Sequence, residues 1–283
     1  MNTTVNAPAN FTRKTVDLPA RFRREGRFAL IPLYHLLRLS DLAREGIAHS
    51  GSYRFADHIY RDEASGAGWF GRWLDRRLLN LAASRAMRGR YLRARDEMRR
   101  ACQSHFECER DAPFRMLTVP CGIPRDVRDF AEQLKAEPPE LLQMIEYNGM
   151  DLDPAVCTAA ENFLAGSVLP MPRIFQGDAL EPKCYAREHY HFISSTGLGE
   201  FLADDDLVTL YGNAFEALRP GGVFFTSATA FEGKSDALLR SFELHSHYRT
   251  RFDLKRLLSG QRWSRIEFER HESGLQTFVR AIR

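Results

Sequence analysis

At 283 residues, with 44% hydrophobic and 27% charged side chains, the chain has a folded globular composition that excludes an extended or disordered polymer; its length suits one large α/β domain with an appendage. No run approaches the ~18 apolar residues of a membrane-spanning helix, and the polar start Met1-Asn-Thr-Thr lacks a secretory pattern, so a soluble, cytoplasmic protein is expected. The net charge of +3 hides an asymmetry, because residues 1–110 carry 21 Lys/Arg against 12 Asp/Glu and the remainder 19 against 25, which places a boundary near residue 110.

Residues 1–20 read as a flexible arm in which Pro8 and Pro19 oppose regular structure. Residues 21–110 read as a helical, arginine-rich segment suited to a cap or substrate region. Within it, helices are expected from Phe28 to Leu37, after Ser40-Asp41, over Tyr53 to Tyr60, and as one or two amphipathic helices from Trp69 to Gln103. The arginines there are expected to cover apolar surface with their stems. Nucleic acid or anionic lipid is a weaker partner reading, since acids interleave with the bases.

From residue 111 to 283 strand and helix patterns alternate, as they do in a doubly wound, mostly parallel α/β sheet. Strands are expected at Arg115–Val119, Met144–Met150, Arg173–Gln176, His191–Ser195 and Gly222–Ser227. A C-terminal antiparallel hairpin follows at Ser264–Arg270 and Leu275–Ala281, turning at Glu272-Ser-Gly274. Helices fill the gaps at Arg125–Lys135, Ala155–Leu164, Asp205–Leu218, Lys234–His245 and Phe252–Leu258, with Pro138-Pro139 marking a loop.

In such a sheet a ligand sits outside the carboxyl ends of the strands, so the turns there carry the chemistry. The first turn, Pro120-Cys121-Gly122, leads into a helix whose N-terminus favours a ligand's negative end. Asp151 and Leu152 follow the second strand, where a carboxylate suits a ribose diol. Asp178 and Ala179 follow the third, an acidic turn suited to an adenine amino group. Ser195 opens a small-residue stretch after the fourth that would floor a pocket.

In order, Phe114 to Asp126, Gly149-Met-Asp151-Leu-Asp-Pro154, Gly177-Asp178-Ala179 and Leu218-Arg-Pro-Gly-Gly-Val-Phe-Phe225 resemble the motifs of class I S-adenosylmethionine-dependent methyltransferases, across about the last 170 residues. The resemblance implies a seven-stranded sheet with one antiparallel strand and S-adenosylmethionine as cofactor. It places Gly122 near the cofactor's amino-acid part, Asp151 on the ribose and Asp178 on the adenine. This chain departs from the family where Thr118 replaces an acidic residue and Pro120-Cys-Gly122-Ile-Pro124 keeps only the middle glycine of Gly-x-Gly-x-Gly.

The implied activity is methyl transfer to an oxygen or nitrogen of a small-molecule acceptor. Rival readings are an RNA or protein methyltransferase that lands on the basic N-terminal part, and a cofactor-binding module without turnover. The glycine spacing of a nicotinamide fingerprint is absent. Glu200, His245 and His247 are the candidate catalytic groups. Tyr53, His58 and Tyr248 are candidates for contact with the acceptor, and Tyr53 and His58 could also serve as bases. No metal is expected: Cys102, Cys108, Cys121, Cys157 and Cys184 form no CxxC pair, and the His189/His191 and His245/His247 spacings lack supporting ligands.

Overall fold

The computed structural model describes residues 17–49, 52–231 and 246–283. The expected helix at Lys234–His245, and with it His245, lies outside the described residues. The chain divides into two compact units between Ser84 and Arg85.

The described part of the first unit is helical: α1 (Leu18–Arg24), α2 (Leu30–Leu37), α3 (Asp41–Ala48), α4 (Tyr53–Arg61), α5 (Gly68–Leu79) and the first residues of α6 (Ala82–Cys108). Here the arm expected over residues 1–20 is corrected, because residues 18–20 are helical. Asp17 caps α1 by accepting the Ala20 amide, and Pro19 falls in the first turn, where the missing N–H has no intrahelical partner to lose. Ser40 and Ser52 cap α3 and α4 in the same way. Leu18, Phe22 and Ile47 form a small core with flanking Leu30, Leu33 and Leu37.

The second unit is a seven-stranded sheet ordered β3-β2-β1-β4-β5-β7-β6. Its strands are β1 (Phe114–Thr118), β2 (Ile145–Asp151), β3 (Arg173–Gln176), β4 (Tyr190–Ser195), β5 (Leu218–Thr229), β6 (Arg265–Arg270) and β7 (Gln276–Ile282). β1 to β5 run parallel, and β7 is antiparallel to both of its neighbours, β5 and β6. Helices α7 (Arg125–Gln133), α8 (Pro139–Gln143), α9 (Pro154–Leu164), α10 (Asp204–Ala217) and α11 (Arg251–Leu258) complete it. The Pro138-Pro139 segment read as loop thus holds a short helix, with Pro139 in its first turn.

Alternation along each strand builds two cores. Phe114, Met116, Tyr147, Phe192 and Phe225 pack with α6, α7 and α9. Leu117, Val119, Ile193, Phe224 and Val279 pack with α10 and α11. Ala94, Met98, Cys102 and Phe106 of α6 belong to the first of these cores. That packing is why the compact units part near residue 84 and not near 110. Charge composition marks the arginine-rich helix, whereas its apolar seam decides what it joins. Most α6 arginines meet acids inside the sheet unit: Glu97, almost fully buried, faces Arg93 at 3.0 Å and Arg280 of β7 at 3.2 Å, and Arg99 meets Glu137 at 3.4 Å.

Candidate active site

Because β1, β2, β3, β4 and β5 are parallel, the segments after them share one edge of the sheet. After β1 the chain turns through the cis peptide Val119–Pro120 to Gly122, whose φ of +50° is the left-handed region that glycine enters without strain. Nothing lies within 4 Å of where a Cβ would stand on Gly122, so the loop faces open space. Its N–H donates to Asp151 Oδ2 at 3.1 Å, and Asp153 N–H donates to Oδ1 at 3.2 Å. Each carboxylate oxygen therefore keeps a lone pair for a ligand. Burial raises the Asp151 pKa against the lowering effect of those two amides.

Leu152 is exposed beside Asp151, and its carbonyl accepts from Gln176 at the end of β3. Asp178 Oδ1 accepts the Leu180 amide at 2.9 Å, which shapes the turn after β3. The carbonyl of Ala179 is engaged by Tyr185 and Asn213, so the residue braces that turn. Cys121 is buried, and burial together with Asp151 pushes its thiol well up, which leaves it a packing group. Thr118, at the position where the family carries an acid, spends its hydroxyl on Tyr147 at 2.7 Å inside the sheet.

After β4, Ser195 is 1% exposed and its carbonyl accepts from Thr226, while its own Oγ is buried without a partner among the described residues. Glu200 is held from two sides: Arg90 of α6 donates to Oε1 at 2.8 Å and Thr229 Oγ1 donates at 2.6 Å. Since the one Thr229 proton goes to Glu200, Gln276 must present its NH2 to Thr229, at 2.8 Å. That fixes the amide, and its Oε1 is left buried without a partner, as is Ser227 Oγ nearby on β5. The His247 amide donates to the Glu200 carbonyl at 2.8 Å while its residue stays exposed, and Tyr248 meets exposed Phe231 edge-on at 5.4 Å.

Four groups that sequence reasoning passed over complete this edge. Arg90 and Gln276 extend the Glu200 network. Arg249, 4% exposed, donates to Asp204 and to the carbonyls of Gly199 and Leu202, stapling the segment after β4 to the end of β5. Asp126, in the first turn of α7, lies deep yet retains some open surface, and desolvation lifts its pKa to about 6. Its one sequence signal is an acid directly after the first-motif loop.

Tyr53 and His58 belong to the helical unit. His58 Nε2 donates to Asp75 Oδ2 at 2.9 Å, and Asp75 is fully buried. That bond raises the His58 pKa against the cost of desolvation, and it ties the Nε2 of this base candidate to Asp75. Tyr53 OH accepts from Arg54 at 3.1 Å. Among the described residues, His105, Glu109 and His191 have metal-ligand composition. However, Arg219 stands 2.6 Å from His191 Nε2 and 3.5 Å from Glu109, and the Arg115 amide donates to His191 Nδ1. A cation, the guanidinium, already fills that cluster, and both nitrogens of His191 face donors.

The chain matches the family described as "Putative methyltransferase" over residues 39–248. No curated protein sequence matches it. It is similar to a structure described as a possible exported protein from Bordetella parapertussis, with TM-score 0.69 and 21% identity over 89% of this chain and 86% of that one. A magnesium protoporphyrin IX methyltransferase from Synechocystis with bound SAH has TM-score 0.49 and 11% identity, over 80% and 93%. A phosphoethanolamine N-methyltransferase from Haemonchus contortus has TM-score 0.47 and 12% identity, over 66% and 52%.

Fold, strand order and family match define a class I methyltransferase with a seven-stranded Rossmann-like sheet. The chain belongs to the putative methyltransferase family, as an enzyme whose methyl donor is S-adenosylmethionine.

Proposed function

We propose that this chain methylates an oxygen or nitrogen of a small organic acceptor, with Gly122, Asp151 and Asp178 holding the cofactor. The observation that carries the reading is the Gly122–Asp151 pair. A left-handed glycine with open space above it is tied to a strand-end carboxylate that keeps two lone pairs, which fits a ligand bearing a ribose diol. Pro120 and Cys121 shape the approach, and Leu152 offers an apolar edge.

When bound, S-adenosylmethionine supplies an already activated methyl group for in-line displacement. The protein's task is then mainly alignment, with a base needed only if the acceptor must lose a proton. Glu200 is tied to Arg90 and Thr229, so its part is to position. Asp126, with a pKa of about 6, is the better-placed proton acceptor near neutral pH, and exposed His247 is the alternative. The Phe231–Tyr248 pair suits an apolar or aromatic acceptor surface. The acidic balance of residues 111–283 weighs against a polyanionic acceptor.

Titration calorimetry with S-adenosylmethionine, S-adenosylhomocysteine and NAD tests the cofactor site. Binding of the two sulfur ligands but not NAD, weakened about tenfold (about 1.4 kcal/mol) in Asp151→Ala, is expected. Absence of sulfur-ligand binding would sink the reading. With cofactor bound, transfer of radiolabelled methyl to the small-molecule fraction of an extract is expected. Label in RNA or protein instead would overturn the acceptor class.

A further inference from the structure

We infer that α5 is a docking surface for anionic phospholipid membranes. It has two sharply different sides. Gly71, Asp75 and Leu79 are buried, whereas Trp69, Arg72, Trp73, Arg76 and Arg77 are exposed at i, i+3, i+4, i+7 and i+8, a single outward stripe made only of tryptophan and arginine. Trp69 is 76% and Trp73 47% exposed, large apolar surfaces that a helix cannot leave in water without cost. The rings form a run, Trp69 edge-on to Phe70 and Phe70 stacked on Trp73 at 5.5 Å, with the Arg77 guanidinium 5.3 Å above the Trp73 ring.

The charge contributed by α5 to this surface has one sign, and Asp62 is the acid that meets it, at Arg76. The only acid of α5 is Asp75, which points inward and is 0% exposed. Among the described residues Arg72 and Arg77 have no acidic partner, while Arg76 is engaged by Asp62. The helix is also held in this orientation. The Ala67 amide donates to the Leu39 carbonyl at 2.8 Å, and a Cβ on Gly71 would stand 2.4 Å from that same oxygen, so α5 is seated directly on the end of α2. α2 contains no acid, and its Leu30, Ile31, Leu33 and Leu37 pack against the small core of Leu18, Phe22 and Ile47. Leu36 and Leu39, around its C-terminal end, are both exposed.

A stripe of tryptophan and arginine is the composition of a helix lying in the lipid headgroup layer, where the rings sit at the acyl boundary and the guanidinium groups meet phosphates. No helix among the described residues is long and apolar enough to cross a membrane, so the contact is one of lying on the surface.

The test is partition of the full chain onto vesicles of pure phosphatidylcholine and of phosphatidylcholine with about a third phosphatidylglycerol, read by flotation and tryptophan emission. Trp263→Phe would remove the one tryptophan outside the stripe. Expected are at least tenfold tighter partition onto the anionic vesicles, a blue shift from Trp69 and Trp73, and about tenfold loss both in Trp69→Ser/Trp73→Ser and at about 0.5 M salt. Arg72→Glu/Arg77→Glu should abolish the preference for anionic lipid. Residues 69, 72, 73 and 77 are exposed, and unchanged circular dichroism checks the fold of each variant, Trp263→Phe included. No partition onto anionic vesicles, equal partition by the variants, or tighter stripe-dependent binding to single-stranded RNA or to a second copy of the chain would each overturn the proposal.

Discussion

Asp75→Asn tests the reading of the helical unit most directly. Asp75 is fully buried and its carboxylate accepts four donors. Ser40 Oγ at 2.5 Å and the Leu42 amide at 3.0 Å share Oδ1. The Ser65 amide at 3.0 Å and His58 Nε2 at 2.9 Å share Oδ2. Burial alone would raise its pKa, but those bonds outweigh it and hold the carboxyl well below its usual range. Asparagine keeps the shape but has one acceptor oxygen. With that oxygen toward Ser40 and Leu42, its NH2 meets the N–H groups of Ser65 and His58. An unsatisfied buried amide costs roughly 1–3 kcal/mol and breaking a buried ion pair roughly 3–5, so a loss of about 2–4 kcal/mol is expected after relaxation.

The loss depends on pH, and the sign follows from the two shifts. The raised His58 pKa contributes stability that is complete below its unfolded value near 6.5 and fades as pH rises through the folded value. The lowered Asp75 pKa contributes above about 3.8 and fades as pH falls through the folded value. The penalty of Asp75→Asn is therefore greatest between these limits and shrinks in alkali. In a Trp263→Phe background, urea unfolding followed by tryptophan fluorescence reports this unit, because Trp69 and Trp73 belong to it, and a separate far-UV transition reports the sheet. A penalty below about 0.5 kcal/mol, or one indifferent to His58→Ala in a double-mutant cycle, would refute the argument, since only a solvent-exposed pair behaves so.

Three further outcomes are expected. Gly122→Ala forces a side chain into the left-handed region at about 1–2 kcal/mol with no steric clash, so cofactor affinity should fall by about tenfold while the melting point moves little, which calorimetry and a thermal scan will separate. Arg90→Met leaves Glu200 half-enclosed without its cation and should cost about 2–4 kcal/mol, whereas Arg90→Met combined with Glu200→Gln should recover most of it; equal losses would show that the pair is not coupled. Asp126→Asn should stabilise the sheet unit by about 1–3 kcal/mol at pH 8 and not at all near pH 3, because a carboxyl lifted to about 6 resists ionisation in the folded state; denaturant titrations at the two pH values decide it.

How far the sequence reaches depends on whether a signal is local. The strands were legible because apolar runs such as Met116-Leu117 and Phe224-Phe225 stand between glycine and proline punctuation, and a parallel sheet buries both faces of such runs. The first helix was not, because Pro19 was read as a breaker when a proline in the first turn is tolerated. The side on which α6 packs was not legible either. Its pattern of Ala94, Met98, Ala101 and Cys102 says that one face is buried but not against what. That Gly122, Asp151 and Asp178 stand at strand ends could be read from the chain alone, and strand ends are the edge where an α/β sheet meets its ligand. Arg90 meets Glu200 across 110 residues and Arg249 meets Asp204 across 45, so no window of sequence contains either pair. The tie of His58 was hidden for the same reason: its partner, Asp75, sits on another helix 17 residues away.

The altered first motif and the acidic second one explain each other. A carboxylate at position 118 would stand next to Tyr147 in a buried strand, where it would need a donor to offset desolvation; threonine closes the contact with a neutral hydroxyl pair. With threonine there, the first strand's end offers the glycine loop no carboxylate. Asp151 accepts the Gly122 amide across the sheet instead. On the proposed cofactor site, one carboxylate sets the loop's conformation and receives the ligand as well, which would couple loop shape and ligand affinity through a single side chain. Loop order and cofactor binding should fall together when Asp151 is replaced, and bound cofactor should slow exchange of the Gly122 amide hydrogen.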